Sequence, residues 1–498
     1  MESENSELIR QPNLTRDTGF LLSSEVACIV LGLTAQIILA NSIIESDFGI
    51  FIIIIDAFAT LFLLVDLGLP TIILREIPLD RSNSKKILHS VFSMQFVFSL
   101  IVIPIGFLMG FWLWGFNEEW ESIVVLMALV AFFRVMTYSH KAAMRSLGEA
   151  RFEAIAKILE RGIITIGYII LFWLGINQVS KYAIVMLIGV FVTAIYVWII
   201  GEKITRKEKV SNREDNSESR ISLLKKAIPF TLTLAIVPLI ARLDKFLIAI
   251  FIDYDAVAMY QIAFLMYMAG LSLPISIQLV LLPIFSKERG DDSKINEIIT
   301  RSSKLIWWVI PPTILLGAIL SLILIPILFP EFFVKELGDK GGSSIGLFMT
   351  LLSAYALTML ATPYYVSIQA GNRPWKYTKL LAGGLVIDAI CGVILIPKFG
   401  INGAAWSTVF TRLGILLISI KMVGNFNHQI KERRKEIILC IGAITFSIFA
   451  NSAVDGNLGN NGFILAVSAL IICALLSGWK ISPPESINLW KKEKNTLI

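Results

Sequence analysis

Five basic side chains, Arg134, Arg161, Arg242, Lys245 and Arg412, lie inside long apolar runs of this 498-residue chain. A guanidinium or ammonium at the centre of a membrane-spanning helix costs about 2.5–3.5 kcal/mol on insertion scales, so charge kept at that depth marks a polar pathway. Cations suit an anionic cargo. Arg134, Tyr138, Lys141 and Arg145 recur at i, i+4, i+7 and i+11, which sets them along one helix face. At 1.5 Å per residue, Arg134 to Arg145 spans roughly 16 Å, about half the hydrocarbon thickness. The spacing predicts a cationic ladder from one membrane rim to near the midplane. The competing expectation for Lys141 and Arg145 is that they snorkel to the rim as anchors.

Arg242 and Lys245 flank Asp244 in a run that also holds Pro229 and Pro238, and prolines in a span permit bending. The candidate substrate-binding cations are therefore Arg134, Lys141, Arg145, Arg242, Lys245 and Arg412. An interhelical salt-bridge network is the alternative for Arg242, Asp244 and Lys245, and a pair with Asp388 is the alternative for Arg412. Candidate coupling or gating groups are Glu25, Asp56, Asp66, Glu160, Arg161, Asp244 and Asp388, because intramembrane carboxylates can link transport to H+ or Na+. Glu153 and Lys157 form an i,i+4 pair beside Glu160 and Arg161. No phosphate-binding loop of the Gly-x-x-x-x-Gly-Lys-Ser/Thr kind occurs, which argues against direct ATP drive. His89, His140 and His428 are isolated, and Cys28, Cys391, Cys440 and Cys473 lie in apolar runs. Neither a metal nor a cofactor is expected, and no disulfide framework.

The elements that must position these groups are membrane helices. With 56% hydrophobic and 16% charged residues and a mean hydropathy of +0.74, the chain is an integral membrane protein. About fourteen apolar runs read as spans: 18–42, 47–74, 88–115, 122–147, 153–175, 180–201, 222–252, 256–285, 305–330, 345–370, 378–397, 402–423, 437–454 and 461–479. Of the 44 Lys and Arg residues, 35 fall on one side of this arrangement and 4 on the other. That bias puts both termini in the cytoplasm. The polar start lacks a cleavage site and is expected to be retained. The net charge of +6 is spread over many short loops, which excludes a nucleic-acid-binding domain.

An internal repeat accompanies the spans. Gly148 is followed by Gly175-Ile176-Asn177, and Gly371 by Gly400-Ile401-Asn402, at corresponding loops. A weaker echo pairs Ser46–Phe51 with Asp253–Tyr260. The expected organisation is all-α, with two six-helix lobes related by a pseudo-two-fold along the membrane normal and two further helices. These are residues 1–210, 211–425 and 426–498.

Three stretches carry a family resemblance. Asp47-Phe48-Gly49-Ile50-Phe51 leading to Asp66-Leu67-Gly68-Leu69 and Arg75 resembles the second-helix pattern of bacterial polysaccharide transporters, the lipid-linked oligosaccharide flippases. Pro229-Phe230, Arg242-Leu243-Asp244-Lys245 and the Tyr260 segment are similar to their seventh and eighth helices. The stretch from Ile394 to Ala405 resembles the exit of their eleventh. The likeness covers roughly residues 18–423 and extends to the superfamily that includes multidrug extruders and the lipid II flippase. It implies alternating access around a central cavity, and export of an isoprenoid-diphosphate-linked glycan to the outer leaflet of a bacterial cytoplasmic membrane. Implied partners are membrane lipids, H+ or Na+, and polysaccharide polymerase or export proteins. An H+/Na+-coupled drug exporter of the same fold is the alternative, although such exporters want an acidic cavity. A membrane polymerase is a weaker one, since the short outer loops leave little room for enzyme chemistry.

Overall fold

In hydrocarbon, every backbone N–H and C=O must find its partner within the chain, so apolar runs of this length become helices. The computed structural model describes residues 14–66, 68–79, 81–114, 118–207, 220–371, 374–424, 434–454 and 459–479. Among them, apart from three short 3-10 turns, the elements are α1 (Leu14–Ser42), α2 (Glu45–Asp66), α3 (Leu69–Leu79), α4 (Ser84–Trp114), α5 (Glu118–Ser146), α6 (Ala150–Trp173), α7 (Val179–Lys207), α8 (Arg220–Phe251), α9 (Tyr254–Gly270), α10 (Ser272–Lys287), α11 (Asp292–Leu328), α12 (Ser344–Ala370), α13 (Pro374–Val423), α14 (Arg434–Val454) and α15 (Gly459–Leu476). The expected all-helical polytopic fold is observed, and each of the fourteen predicted spans falls on a helix or a helix pair.

Ten helical stretches of the described residues are by themselves long and apolar enough to cross a membrane. The α6 helix is not among them, because Arg151, Glu153, Lys157, Glu160 and Arg161 crowd its first half. The 50 residues of α13 hold two passes, broken where Gly400 leaves helical geometry at φ 60°.

Two predicted single spans are each built from two helices. The run 47–74 breaks between α2 and α3 at Gly68, whose φ is 63°. The run 256–285 breaks between α9 and α10 at Leu271. Pro274 follows within the first turn of α10 and lacks the N–H that would continue the helix through the break. These runs are the ones paired by the weaker sequence echo, and both copies of that echo begin a helix, α2 and α9. The stronger repeat also has a backbone counterpart: Gly175 and Gly400 both adopt positive φ, 66° and 60°.

The chain divides into two compact units, residues 1–235 and 236–498, a division that falls inside α8. In the first, α5 packs against α2, α3, α4, α6 and α7, while α1 lies along α6. In the second, α12 is the central helix: 94% of its apolar window is buried, against 17–44% for the other spans. The helices α9, α10, α11, α13 and α14 surround it. Small groups on α12 admit this close approach. Ser353 Oγ, for example, donates to the Ala443 carbonyl of α14 at 3.0 Å.

One loop clasp links the start of α9 to the kink of α13 in the second unit. Asp253 caps α9 by accepting from the Ala256 N–H at 2.9 Å, and it also accepts from Lys340 Nζ. That bond pushes the Lys340 ammonium above its ordinary pKa. The Lys340 carbonyl lies against Gly400 in the space a Cβ would need. Gly175 has open space around it. Gly175→Ala should therefore cost only the positive-φ penalty, about 1–2 kcal/mol. Gly400→Ala should cost distinctly more. Thermal unfolding of the two purified variants checks the order, and equal shifts would show that the Lys340 contact is unimportant.

Candidate functional site

Arg134, Lys141 and Arg145 of α5 all turn toward α6, which supplies acids to them. Arg134 donates through Nε (3.2 Å) and Nη2 (2.8 Å) to Glu160 Oε1, and Lys141 Nζ lies 3.7 Å from Glu160 Oε2. Arg145 bonds to Glu153, whose Oε1 also lies 3.3 Å from Lys157 Nζ. Lys157 reaches across to Glu25 of α1 at 2.6 Å. Glu153 and Glu160 are buried, as is Lys141. A buried carboxylate between two cations is how a low-dielectric site offsets the desolvation of all three charges.

Four of the five cations here (Arg134, Lys141, Arg145 and Lys157, but not Arg161) thus share three acids (Glu25, Glu153 and Glu160). Arg161 is the one left over: it is exposed and has no ion pair within 4.0 Å among the described residues. It lies some eleven residues, roughly 16 Å, from the start of α6, near Gly32 and Cys28 of α1. At that depth an exposed guanidinium is tolerable only against water. The first unit also buries a separate polar network. Gln95 Nε2 of α4 donates to Asp66 Oδ1 at 3.1 Å, and Gln95 Oε1 accepts from Ser139 of α5. Gln95 therefore ties α2, α4 and α5 together, with Asp66 at the end of α2; the side chain of Arg75, from the same motif, lies outside the described residues. Asp56 is half-buried on α2.

In the second unit, Asp244 and Asp388 are 3% and 1% exposed and close enough to repel each other. Asp244 Oδ2 accepts from Tyr260 Oη at 2.9 Å and from Thr408 Oγ1 at 2.6 Å. Asp388 Oδ1 accepts from Thr411 Oγ1 at 2.8 Å and from Ser407 Oγ at 3.4 Å. The other oxygen of each, Asp244 Oδ1 and Asp388 Oδ2, is buried with no hydrogen-bond partner. Two buried, neighbouring carboxylates, each with a bare oxygen and hydroxyl donors, form a set of hard donors suited to a proton or a small cation.

Lys245, next to Asp244, turns away from it. Its Nζ donates to Gln261 at 3.0 Å and lies 5.4 Å from the Phe264 ring centroid. Arg242 is half-buried one turn earlier on α8. Arg412 has no carboxylate within 4.0 Å among the described residues, and its Nε is buried without a partner; Tyr267, Asp388 and Tyr365 are its electrostatic neighbours. A polar trail leads on from there: Tyr365 Oη to Gln278 Oε1 at 3.4 Å, then Gln278 Nε2 to Gln369 Oε1 at 2.9 Å.

Residues 14–288, more than half of the chain, match the sequence model of the polysaccharide biosynthesis protein family. The chain belongs to that family. A curated relative, an uncharacterized membrane protein of Methanocaldococcus jannaschii, is 24% identical over 462 residues, covering 85% of this chain and 86% of the relative. Three solved structures share the fold at 15% identity. The lipid II flippase MurJ in an inward closed conformation has a TM-score of 0.64, covering 92% of this chain and 98% of the flippase. A transporter of the multidrug/oligosaccharidyl-lipid/polysaccharide exporter (MOP) superfamily from Pyrococcus furiosus has 0.58, covering 87% and 99%. A multidrug and toxin extrusion transporter of Vibrio cholerae has 0.56, covering 84% and 98%. This member of the polysaccharide biosynthesis family thus has the fold of membrane flippases and transporters of that superfamily.

Within that fold, sequence spacing located the ladder but not its neutralisation, since Glu153 and Glu160 sit on another helix. Tyr260, Thr408, Ser407 and Thr411 had no signal as carboxylate partners, because the contacts that reveal them join α8, α9 and the two halves of α13. The pairing of Arg134 with Glu160 makes a direct prediction. Arg134→Leu leaves the buried Glu160 with Lys141 alone and should cost up to about 3–5 kcal/mol, whereas Arg134→Leu with Glu160→Gln, which removes the buried negative charge and keeps an oxygen acceptor for Lys141, should recover part of it. Denaturation of both variants in the same detergent measures the coupling; additive losses would contradict it.

Proposed function

We propose that the protein is a flippase that carries an isoprenoid-diphosphate-linked oligosaccharide from the inner to the outer leaflet of the cytoplasmic membrane by alternating access, with both termini inside. The supporting observation is the pair of deep guanidiniums, Arg161 and Arg412, that no carboxylate within 4.0 Å neutralises among the described residues. A diphosphate is the chemical complement to such groups, through charge-assisted hydrogen bonds. Family membership and the likeness to the lipid II flippase support the same substrate class.

On this reading Arg134, Lys141 and Arg145 form a held reserve: an arriving phosphate competes with Glu160 and Glu153 for them. Arg412 anchors the diphosphate in the second unit, Arg242 and Lys245 add positive potential on α8, and Tyr365, Gln278 and Gln369 offer hydroxyl and amide partners to sugars. Asp244 and Asp388 hold the coupling H+ or Na+. A multidrug exporter remains the second reading, favoured by the same bare carboxylate oxygens, which would also accept a cationic drug.

Arg412→Gln and Arg161→Gln should each reduce glycan export at least about tenfold at unchanged membrane levels. Flipping of a diphosphate-linked glycan in proteoliposomes measures this, with Arg412→Lys expected to recover part of the activity. Normal export by both neutral variants would reject the diphosphate reading. Asp244→Asn should abolish any H+ or Na+ dependence of transport in the same assay, and retained ion dependence would remove the coupling role.

A further inference from the structure

A second polar feature of residues 236–498 lies away from the deep charges. A cavity of about 230 Å³ opens where the end of α10, the start of α11, the end of α12 and both ends of α13 meet. Arg289 and Lys376 line it together with Asp292, and Phe285, Ile295 and Met422 supply an apolar flank. These helix ends face the side of the membrane that carries the basic loops.

The charges around the cavity are unequally committed. Lys294 is held by Glu288 at 2.8 Å and by Asp291 at 3.7 Å, and Arg301 is paired with Glu297 on the same helix. Arg289 and Lys376 have no ion pair within 4.0 Å among the described residues and are exposed to the cavity mouth. Asp292 stands in the first turn of α11, where the helix dipole favours an acid, and Asp291 already caps that terminus through the N–H groups of Ser293 and Lys294. Two cations against one acid leave the lining with a surplus of positive charge. An apolar wall beside that surplus, at headgroup depth, matches an amphiphile whose head is a phosphate.

We propose that this cavity binds a phospholipid of the basic-side leaflet, with the lipid phosphate on Arg289 and Lys376 and an acyl chain along Phe285, Ile295 and Met422. The cations of this cavity, Arg289 and Lys376, lie at helix ends, and none belongs to the deep constellation. A resident lipid there ties α10, α11, α12 and α13 together at one end and leaves the substrate cations free for their cargo.

The test is retention of phosphatidylglycerol by the purified full-length protein, read by native mass spectrometry during stepwise delipidation, with dissociation constants from titration. The double variant Arg289→Gln with Lys376→Gln should bind about thirtyfold more weakly. Lys287→Gln, which removes an exposed cation of the same rim outside the cavity lining, should bind as the unaltered protein does. Asp292→Asn should bind more tightly, because it removes the one negative charge of the lining. Glycerol 3-phosphate at equal concentration should not displace the lipid. The proposal is overturned if Lys287→Gln weakens binding as much as the double variant, which would mean general rim electrostatics. It also fails if the double variant binds normally, if Asp292→Asn binds more weakly, or if glycerol 3-phosphate competes, which would mark a site for a soluble phosphate. Glycan export reads out separately, so loss of the lipid site and loss of the flippase reading are distinguishable.

Discussion

Ionised groups are expensive in hydrocarbon, and each charge this protein keeps at depth must be paired, hydrogen-bonded or wetted. The described structure uses all three solutions. Glu160 and Glu153 each serve two cations, Asp244 and Asp388 gather hydroxyl donors on one oxygen apiece, and Arg161 stays exposed. On the transport role proposed above, what the protein can offer an anionic cargo is the remainder after that internal neutralisation.

Broken helices provide the geometry for these solutions. Gly68, Leu271 and Gly400 each interrupt a run that is apolar enough to continue. An interruption redirects the chain and changes which faces meet. The bend at Gly400 lets one fifty-residue element present Asp388 from its first half and Thr408, Thr411 and Arg412 from its second to a single neighbourhood. Only a glycine reaches that backbone geometry without strain, and here the Lys340 carbonyl fills the space as well. Around α12, burial of nearly every side chain makes a rigid post against which such neighbourhoods hold their shape.

The ladder shows where reading a sequence succeeds and where it stops. Arg134, Lys141 and Arg145 do share a face of α5, because helical periodicity is a local property. The i,i+4 pair of Glu153 and Lys157 is local too, and it is present at 3.3 Å. The bond from Arg134 to Glu160 joins positions 26 apart, and no periodicity connects α5 to α6. Arg161 changes standing for the same reason. Beside Glu160 in sequence it reads as a coupling or gating group, yet successive helical residues point about 100° apart, and the acid is taken by Arg134 and Lys141.

Composition and spacing alone determined that the chain is a many-spanning helical membrane protein, which runs are spans, and which residue types lie too deep to be accidental. These follow from transfer energies and helix periodicity, which act over a few turns. Tertiary structure decided which charges are neutralised and which stay available, where two predicted spans break in the middle, and that hydroxyls from α9 and α13 converge on the Asp244–Asp388 pair. Those outcomes depend on contacts between distant segments, set by packing that no local pattern records.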